Sequence, residues 1–193
     1  IVKTENGSVS GIKNGDIYSF KGIPFAAPPV GNLRWKAPQP AAKWEGVKQT
    51  TQFAPAPYQG GNPPSGKSED CLYLNVATPD VKPAKPKPVM VWFHGGGFIG
   101  GDGLQGTPLQ RLAARGDVVV VSLQYRVGAL GFMAHPALSA ESEKTNNQSV
   151  SGNYGLMDQQ AALRWVRDNI GAFGGDSKNV TIFGESAGGM SVC

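Results

Sequence analysis

The sequence has 193 residues, 40% hydrophobic and 17% charged, which fits one globular domain with a sizeable core. The formal net charge is +4, but the 18 Lys and Arg residues are scattered, so we expect no nucleic-acid partner. No run of 18 or more apolar residues is present, so we expect no membrane span. Two cysteines make no disulfide framework. The sequence does not fix the cellular compartment, and an extracellular location is slightly favoured over a cytoplasmic one.

The first third of the chain predicts β-hairpins and long loops. Residues 7–26 alternate apolar and polar side chains around Asn14-Gly15, a typical hairpin signal. Residues 27–40 hold too many prolines for regular structure. Residues 71–79 predict a strand. The Lys/Pro stretch 81–88 predicts an exposed connection, with a recognition segment as the alternative.

The rest of the chain alternates buried strands with helices. Continuous apolar runs predict strands buried on both faces, whereas apolar residues at helical spacing predict amphipathic helices. The predicted strands are 89–94, 117–126 and 179–183, and the predicted helices are 108–116, a segment from 154 that ends at Gly171, and one that opens after Ser186. This order favours a largely parallel sheet that is covered on both faces.

Ser186 lies in Gly184-Glu185-Ser186-Ala187-Gly188, which fits the pattern G-x-S-x-G. Between a strand and a helix, this pattern is typical of a nucleophile elbow, a strained turn that holds a serine hydroxyl out over the sheet. A Cβ at either flanking glycine would collide with the neighbouring strand or helix. The alternative is a glycine-rich turn with an incidental serine.

A second glycine motif, residues 94–98 (HGGGF), follows the strand 89–94. Three consecutive glycines let the backbone curl so that several N–H groups point at one spot. Such donors stabilise the oxyanion that forms during acyl transfer. The alternatives are a simple loop and a phosphate-binding turn, but the motif lacks the lysine and the glycine spacing of phosphate-binding loops.

These motifs lie within stretches that resemble the type-B carboxylesterase and cholinesterase family of α/β-hydrolases, and most of all its bacterial, para-nitrobenzyl-esterase-like carboxylesterases. The matching stretches are GIPFAAPPVGNLRW (22–35), SEDCLYLNV (68–76), VMVWFHGGGF (89–98), VVVVSLQYRVGALGF (118–132), GNYGLMDQQAALRWV (152–166) and FGGDSKNVTIFGESAGG (173–189). The resemblance implies an α/β-hydrolase fold. Residues 1–193 would be the N-terminal part of a single catalytic domain, with N-terminal hairpins and then a mostly parallel sheet, incomplete on its own.

The resemblance also implies a serine carboxylesterase that acts on a small-molecule ester through an acyl-serine intermediate, with no metal or other cofactor. Ser186 would be the nucleophile. The amides of Gly96, Gly97 and Ala187 would form the oxyanion hole, and Glu185 would line the site.

The base that activates the serine is not evident in this sequence. The family uses a histidine oriented by a glutamate or aspartate, and both follow the serine in chain order. The only histidines are His94, beside the oxyanion glycines, and His135, in a segment that the family does not use for catalysis. We therefore expect the histidine and the acid on a further C-terminal polypeptide of the same enzyme, and we expect this chain to be inactive alone.

Other features of the resemblance concern the cysteines and one ion pair. In the family, an arginine at the position of Arg34 pairs with the glutamate at Glu69. The family also joins the cysteine at Cys71 to a partner near 53–59, where this sequence has none, so we expect a free thiol. The loop between them has no tryptophan to bind a quaternary ammonium, so a general carboxylesterase is expected rather than a cholinesterase.

Two other functions fit the same residues. One is a non-catalytic adhesion protein of the neuroligin kind, but such relatives typically lose the serine that is present here. The other is cleavage of an amide, lactone or thioester by the same machinery.

Overall fold

The computed structural model describes residues 1–104 and 109–193. The strands in these ranges are β1 (Val2–Lys3), β2 (Ser8–Ser10), β3 (Ile12–Asn14), β4 (Ile17–Pro24), β5 (Val47–Gln49), β6 (Ala56–Pro57), β7 (Lys67–Ser68), β8 (Tyr73–Thr78), β9 (Lys87–Phe93), β10 (Val119–Leu123) and β11 (Gly175–Gly184). The helices are α1 (Leu109–Gly116), α2 (Gly128–Phe132), α3 (Pro136–Asn146), α4 (Tyr154–Asn169) and α5 (Ala187–Val192), with short 3₁₀ turns at Gly31–Leu33 and Ile170–Phe173.

The main sheet of the described residues has six strands in the order β11-β9-β10-β8-β4-β3. Strand β9 lies between β10 and β11 and is parallel to both, because a helix crosses between successive strands. The expected parallel pairing therefore holds for these three strands. Strand β8 is antiparallel to β10 and β4, which extends the sheet into the N-terminal hairpin and makes it mixed.

Helices cover both faces of this sheet, as the sequence predicts. Side chains of α4, among them Ala162 and Val166, share one hydrophobic cluster with Val89, Val91 and Val121 of the strands. Helix α1 packs on the opposite face, where its apolar residues meet the strand side chains Ile17, Ala77 and Val120. Alternation along β10 explains the two clusters, since Val120 and Val121 point to opposite faces.

Most predicted elements are present, with shifted ends. Strands β3 and β4 form the predicted hairpin, although its two-residue loop is Gly15-Asp16, with Gly15 at φ 58°. The predicted helix 108–116 is α1, and Pro108 lies outside the described residues. Helix α4 ends at Asn169, and a 3₁₀ turn carries the chain past the predicted end at Gly171.

Among the described residues, two helices are present that the sequence did not predict. Helix α2 has five residues, too few to show a period. Helix α3 is mostly exposed and has no apolar stripe, so hydrophobic periodicity gives no signal there.

The prediction that 179–183 is buried on both faces is wrong for this structure. Strand β11 lies at the edge of the sheet, and most of its residues are exposed or half-buried. Ile182 keeps 37% of its surface exposed, although its partner Val91 is fully buried. An apolar run indicates that a segment forms a strand. Its burial, however, depends on the elements that pack against that strand.

Arg126 and Asp158 form a buried ion pair that ties the end of β10 to α4. Two guanidinium nitrogens of Arg126 donate to Asp158 at 2.8 Å each, and the Arg126 backbone N–H donates at 3.0 Å. Both side chains are almost fully buried. Removing either one would leave the other as an uncompensated buried charge, which strongly destabilises a fold. The pair fixes the start of the segment that leads into α2.

We expect Cys71 to be a free thiol that does not react while the protein is folded. Cys71 is fully buried, and burial raises the pKa of its thiol, so almost no thiolate is present at neutral pH. Iodoacetamide should therefore modify only the exposed Cys193 in the folded protein, and both cysteines after unfolding without reductant. Mass spectrometry of the two samples tests this. Cys71 that stays unmodified until a reductant is added would show a disulfide instead.

Candidate active site

Ser186 occupies a strained turn between β11 and α5. Its backbone has φ 53° and ψ −119°, a combination that residues with a side chain rarely adopt. The strand ends at Gly184 and the helix begins at Ala187, so the direction changes within two residues. Ser186 and Glu185 are both exposed. The turn therefore presents the serine hydroxyl at the surface.

The two glycines of the motif allow this turn to pack closely. A Cβ on Gly188 would lie less than 3.0 Å from the Phe93 carbonyl oxygen, closer than real Cβ atoms come. A Cβ on Gly184 would collide with the backbone of Gly188 in the same way. The predicted reason for these glycines is therefore confirmed.

The three-glycine loop lies directly against the serine turn. Strands β9 and β11 are adjacent and parallel, and Gly184 is paired with Phe93, so both strands end at the same edge of the sheet. A Cβ built on Gly95 would lie 3.1 Å from the Ser186 Cβ and 2.8 Å from the Glu185 carbonyl oxygen. The structure thus brings together two motifs that are 90 residues apart in the sequence.

The loop itself has a backbone that only glycine adopts easily. Gly96 has φ 110° and Gly97 has φ 61°, and both are exposed. Ile99 and Gly100 donate their N–H groups to the Gly96 carbonyl at 3.1 and 3.2 Å, which closes a tight turn. The N–H of Ala187, the first residue of α5, has no acceptor within the helix.

His94 is a packed core residue in this structure. Its ring stacks on Tyr125 with centroids 4.1 Å apart, and the Tyr125 hydroxyl donates to the His94 carbonyl at 2.6 Å. The Nδ1 atom is 2.8 Å from the Gly95 carbonyl oxygen, which makes Nδ1–H the donor. Burial lowers the pKa of His94, and its Nε2 makes no hydrogen bond with any described residue. The side chain is therefore engaged in holding the loop.

His135 caps a helix rather than approaching the serine through a hydrogen bond. Its Nδ1 accepts the Ala137 N–H at 3.2 Å, at the beginning of α3. The His135 backbone N–H donates to the Ser151 hydroxyl at 3.1 Å. Within the described ranges, no hydrogen bond joins either histidine to Ser186.

The predicted Arg34–Glu69 ion pair is present and bidentate. The two nitrogen–oxygen distances are 2.6 and 2.7 Å. Both residues line an open groove of about 800 Å³ that also includes Tyr58 and Ile99. Since the pair is partly exposed, its effect on stability is small, and it orders one wall of the groove.

Sequence reasoning missed a polar network that holds the far side of the glycine loop. Asp102 is fully buried and accepts hydrogen bonds from Ser65 at 2.7 Å and from Gln124 at 2.9 Å. Gln59 contacts the backbone of Gly101. No local sequence pattern predicts these hydrogen bonds, because the partners are 22 to 42 residues apart in the sequence.

The described residues contain no group of three or more His, Cys, Asp and Glu side chains that is arranged to hold a metal ion. None of the helices in the described ranges combines the length and apolar character needed to cross a bilayer.

Comparison with known proteins gives consistent matches over the whole chain. The model of the carboxylesterase family matches residues 1–193. The chain is 48% identical to the fumonisin B1 esterase of Sphingopyxis macrogoltabida and 48% identical to the para-nitrobenzyl esterase of Bacillus subtilis (strain 168). These alignments cover 98% and 100% of the chain but only 35% and 39% of the relatives. A mouse (Mus musculus) cholinesterase is 46% identical, with 100% of the chain and 33% of the relative covered.

Solved structures show the same relation. A para-nitrobenzyl esterase structure superposes with a TM-score of 0.86 at 49% identity, covering all of this chain and 39% of that one. The Geobacillus stearothermophilus carboxylesterase EST55 superposes with a TM-score of 0.84 at 44% identity, covering 99% of this chain and 39% of that one. The architecture is therefore the N-terminal portion of the α/β-hydrolase fold, and the chain spans less than two fifths of the length of these proteins. The chain belongs to the carboxylesterase family.

Proposed function

We propose that the chain supplies the nucleophile and the oxyanion hole of a carboxylic ester hydrolase. This proposal rests on the contact between the glycine loop and the serine turn, where Gly95 packs against Ser186. An exposed, strained serine beside a loop of exposed glycine amides is the arrangement that acyl transfer to serine needs.

The proposed reaction has two steps through an acyl-serine. The Ser186 Oγ attacks the ester carbonyl carbon while a base takes its proton. The carbonyl oxygen becomes an oxyanion, which accepts hydrogen bonds from the N–H groups of Gly96, Gly97 and Ala187. The carbon–oxygen bond to the alcohol breaks, and the alcohol leaves with the proton. Water then attacks the acyl-serine by the same route and releases the acid.

The surface beside the glycine loop favours an ester with an apolar group. A shallow depression of about 460 Å³ begins at Phe98 and Ile99 and is lined by Phe132 and Met133. Ile99 is 75% exposed and lies two residues after Gly97. Covering these side chains with an acyl or alcohol group removes apolar surface from water, which contributes to binding. A simple p-nitrophenyl ester is therefore a suitable first substrate.

We further propose that the catalytic histidine and its glutamate or aspartate lie on polypeptide outside these 193 residues. His94 is buried against Tyr125, and His135 caps α3, so neither is hydrogen-bonded to the serine. Related esterases are more than twice as long, which leaves room for both groups. Residues 1–193 would then be the N-terminal part of one catalytic domain. The same polypeptide would cover the exposed edge strand β11.

Ser186→Ala should abolish both ester hydrolysis and labelling by a fluorophosphonate probe, because no other serine would lie beside the glycine amides. Turnover of a p-nitrophenyl ester and mass spectrometry of the labelled peptide measure the two effects in the complete enzyme. Ser191→Ala is the matched control, since Ser191 lies on α5 and donates to the Ala187 carbonyl instead. Labelling that persists in Ser186→Ala would contradict the assignment.

Gly96→Ala should lower turnover by about 10²-fold, because the new Cβ would collide with the Gly100 carbonyl and shift the loop amides. The control is Gly171→Ala, where a Cβ meets no atom of the described residues within 4 Å. Steady-state kinetics and the melting temperatures of both variants separate a displaced amide from a lost fold. Near-normal turnover of Gly96→Ala would show that the loop has no catalytic part.

The active enzyme should contain a histidine-bearing segment beyond this chain, since a triad that lacks its base retains little activity. Intact mass and a denaturing gel of purified active material test this. A folded, fully active 20.3 kDa species would contradict the proposal and would make His135 the next candidate base.

A further inference from the structure

One side chain, Gln59, holds the end of the glycine loop by two hydrogen bonds. Its Nε2 donates to the Gly101 carbonyl at 2.6 Å, and its Oε1 accepts the Gly101 N–H at 2.7 Å. The side-chain amide therefore satisfies both backbone groups of one residue, as a neighbouring strand would. A Cβ on Gly100 would lie 2.6 Å from the same Oε1, so the Gln59 side chain is in close contact with both Gly100 and Gly101.

The contact continues from Gly101 to the proposed oxyanion amides. Gly100, the next residue, donates its N–H to the Gly96 carbonyl at 3.2 Å. The Gly96 Cα also faces the Gly100 carbonyl so closely that no Cβ fits between them. A shift of Gly100 and Gly101 therefore moves Gly96. Gln59 and Gly96 do not need to touch for one to position the other.

The loop needs such an external contact because its own sequence is permissive. Gly96, Gly97 and Gly101 have φ values of 110°, 61° and 132°, and glycine moves among such conformations at little cost. An oxyanion donor has to be held within about 0.5 Å of its productive position. Residues 95–97 have no side chains that could pack and fix them.

Gln59 is itself held in place by its own segment. Its Nε2 also donates to the Pro57 carbonyl at 3.0 Å, and the Gln59 carbonyl accepts from the Lys67 ammonium at 3.1 Å. Nearby, Ser65 donates to the buried Asp102 at 2.7 Å, which joins the same segment to the loop a second time. Residues 57–67 thus form a support behind the glycine loop.

We propose that Gln59 is a positioning residue that sets the orientation of the Gly96 and Gly97 amides toward the oxyanion. This inference rests on the proposed function, because it assigns a supporting part to the same site. A residue that only binds substrate would change KM, and one that only stabilises the fold would change the melting temperature. A positioning residue changes kcat and the affinity for transition-state analogues together.

The test is Gln59→Met in the complete enzyme, since methionine has a similar length and forms no such amide pair. We expect kcat for a p-nitrophenyl ester to fall about 10²-fold with KM little changed. The inhibition constant of a trifluoromethyl ketone, which forms an oxyanion on the serine, should rise in parallel with the loss in kcat/KM. Gln59→Glu is the second variant. Its carboxylate still accepts the Gly101 N–H but repels the Gly101 carbonyl, so a similar loss is expected.

Gln39→Met is the matched control, because Gln39 is an exposed glutamine outside residues 57–67 and the glycine loop, and its side chain donates to the Ala37 carbonyl. Its kcat should stay close to that of the wild type. An active wild type with unchanged kcat in both Gln59 variants, or an equal loss in Gln39→Met, would overturn the inference alone. A wild type without ester turnover and without Ser186 labelling would overturn the proposed function, and the inference with it.

Discussion

The parallel pairing of β9 with β11 is the constraint on which the site depends. Because Gly184 is paired with Phe93, the chain leaves both strands at the same height and the same edge of the sheet. The serine turn follows one strand, and the glycine loop follows the other. A one-residue slip in this register would separate the turns by about 3.3 Å along the strand, which is far more than an oxyanion site tolerates.

Close backbone contact maintains the geometry on each side of this pairing. Gly188 packs its Cα against the Phe93 carbonyl, and Gly95 packs against the serine turn. Such contacts leave no room for side chains, so the positions must be glycine. The strained backbone of Ser186 persists because the strand, the helix and the loop together leave it no alternative. On the outer side of the glycine loop, residues 57–67 hold the backbone through hydrogen bonds to Gly101 and Asp102.

Local patterns in the sequence predicted most of the fold and the two motifs of the site. The apolar runs of β9 and β10 and the hairpin around Gly15 carry strong short-range signals, and the structure confirms them. Two features depend on contacts between distant parts of the chain. One was predicted wrongly from the sequence, and the other was missed. Exposure of β11 depends on what packs against it, and the role of Gln59 depends on a partner 42 residues away. The catalytic roles of Ser186 and the glycine amides stay predictions.

A crystal structure of the complete enzyme after reaction with a fluorophosphonate would show directly whether Ser186 is the nucleophile and whether the glycine amides face the oxyanion. We expect phosphorus bonded to the Ser186 Oγ, with the phosphoryl oxygen about 2.7–3.1 Å from the backbone nitrogens of Gly96, Gly97 and Ala187. We also expect that the histidine facing the serine comes from outside residues 1–193. A phosphoryl oxygen that points away from the glycine loop, or an adduct on another residue, would contradict these roles.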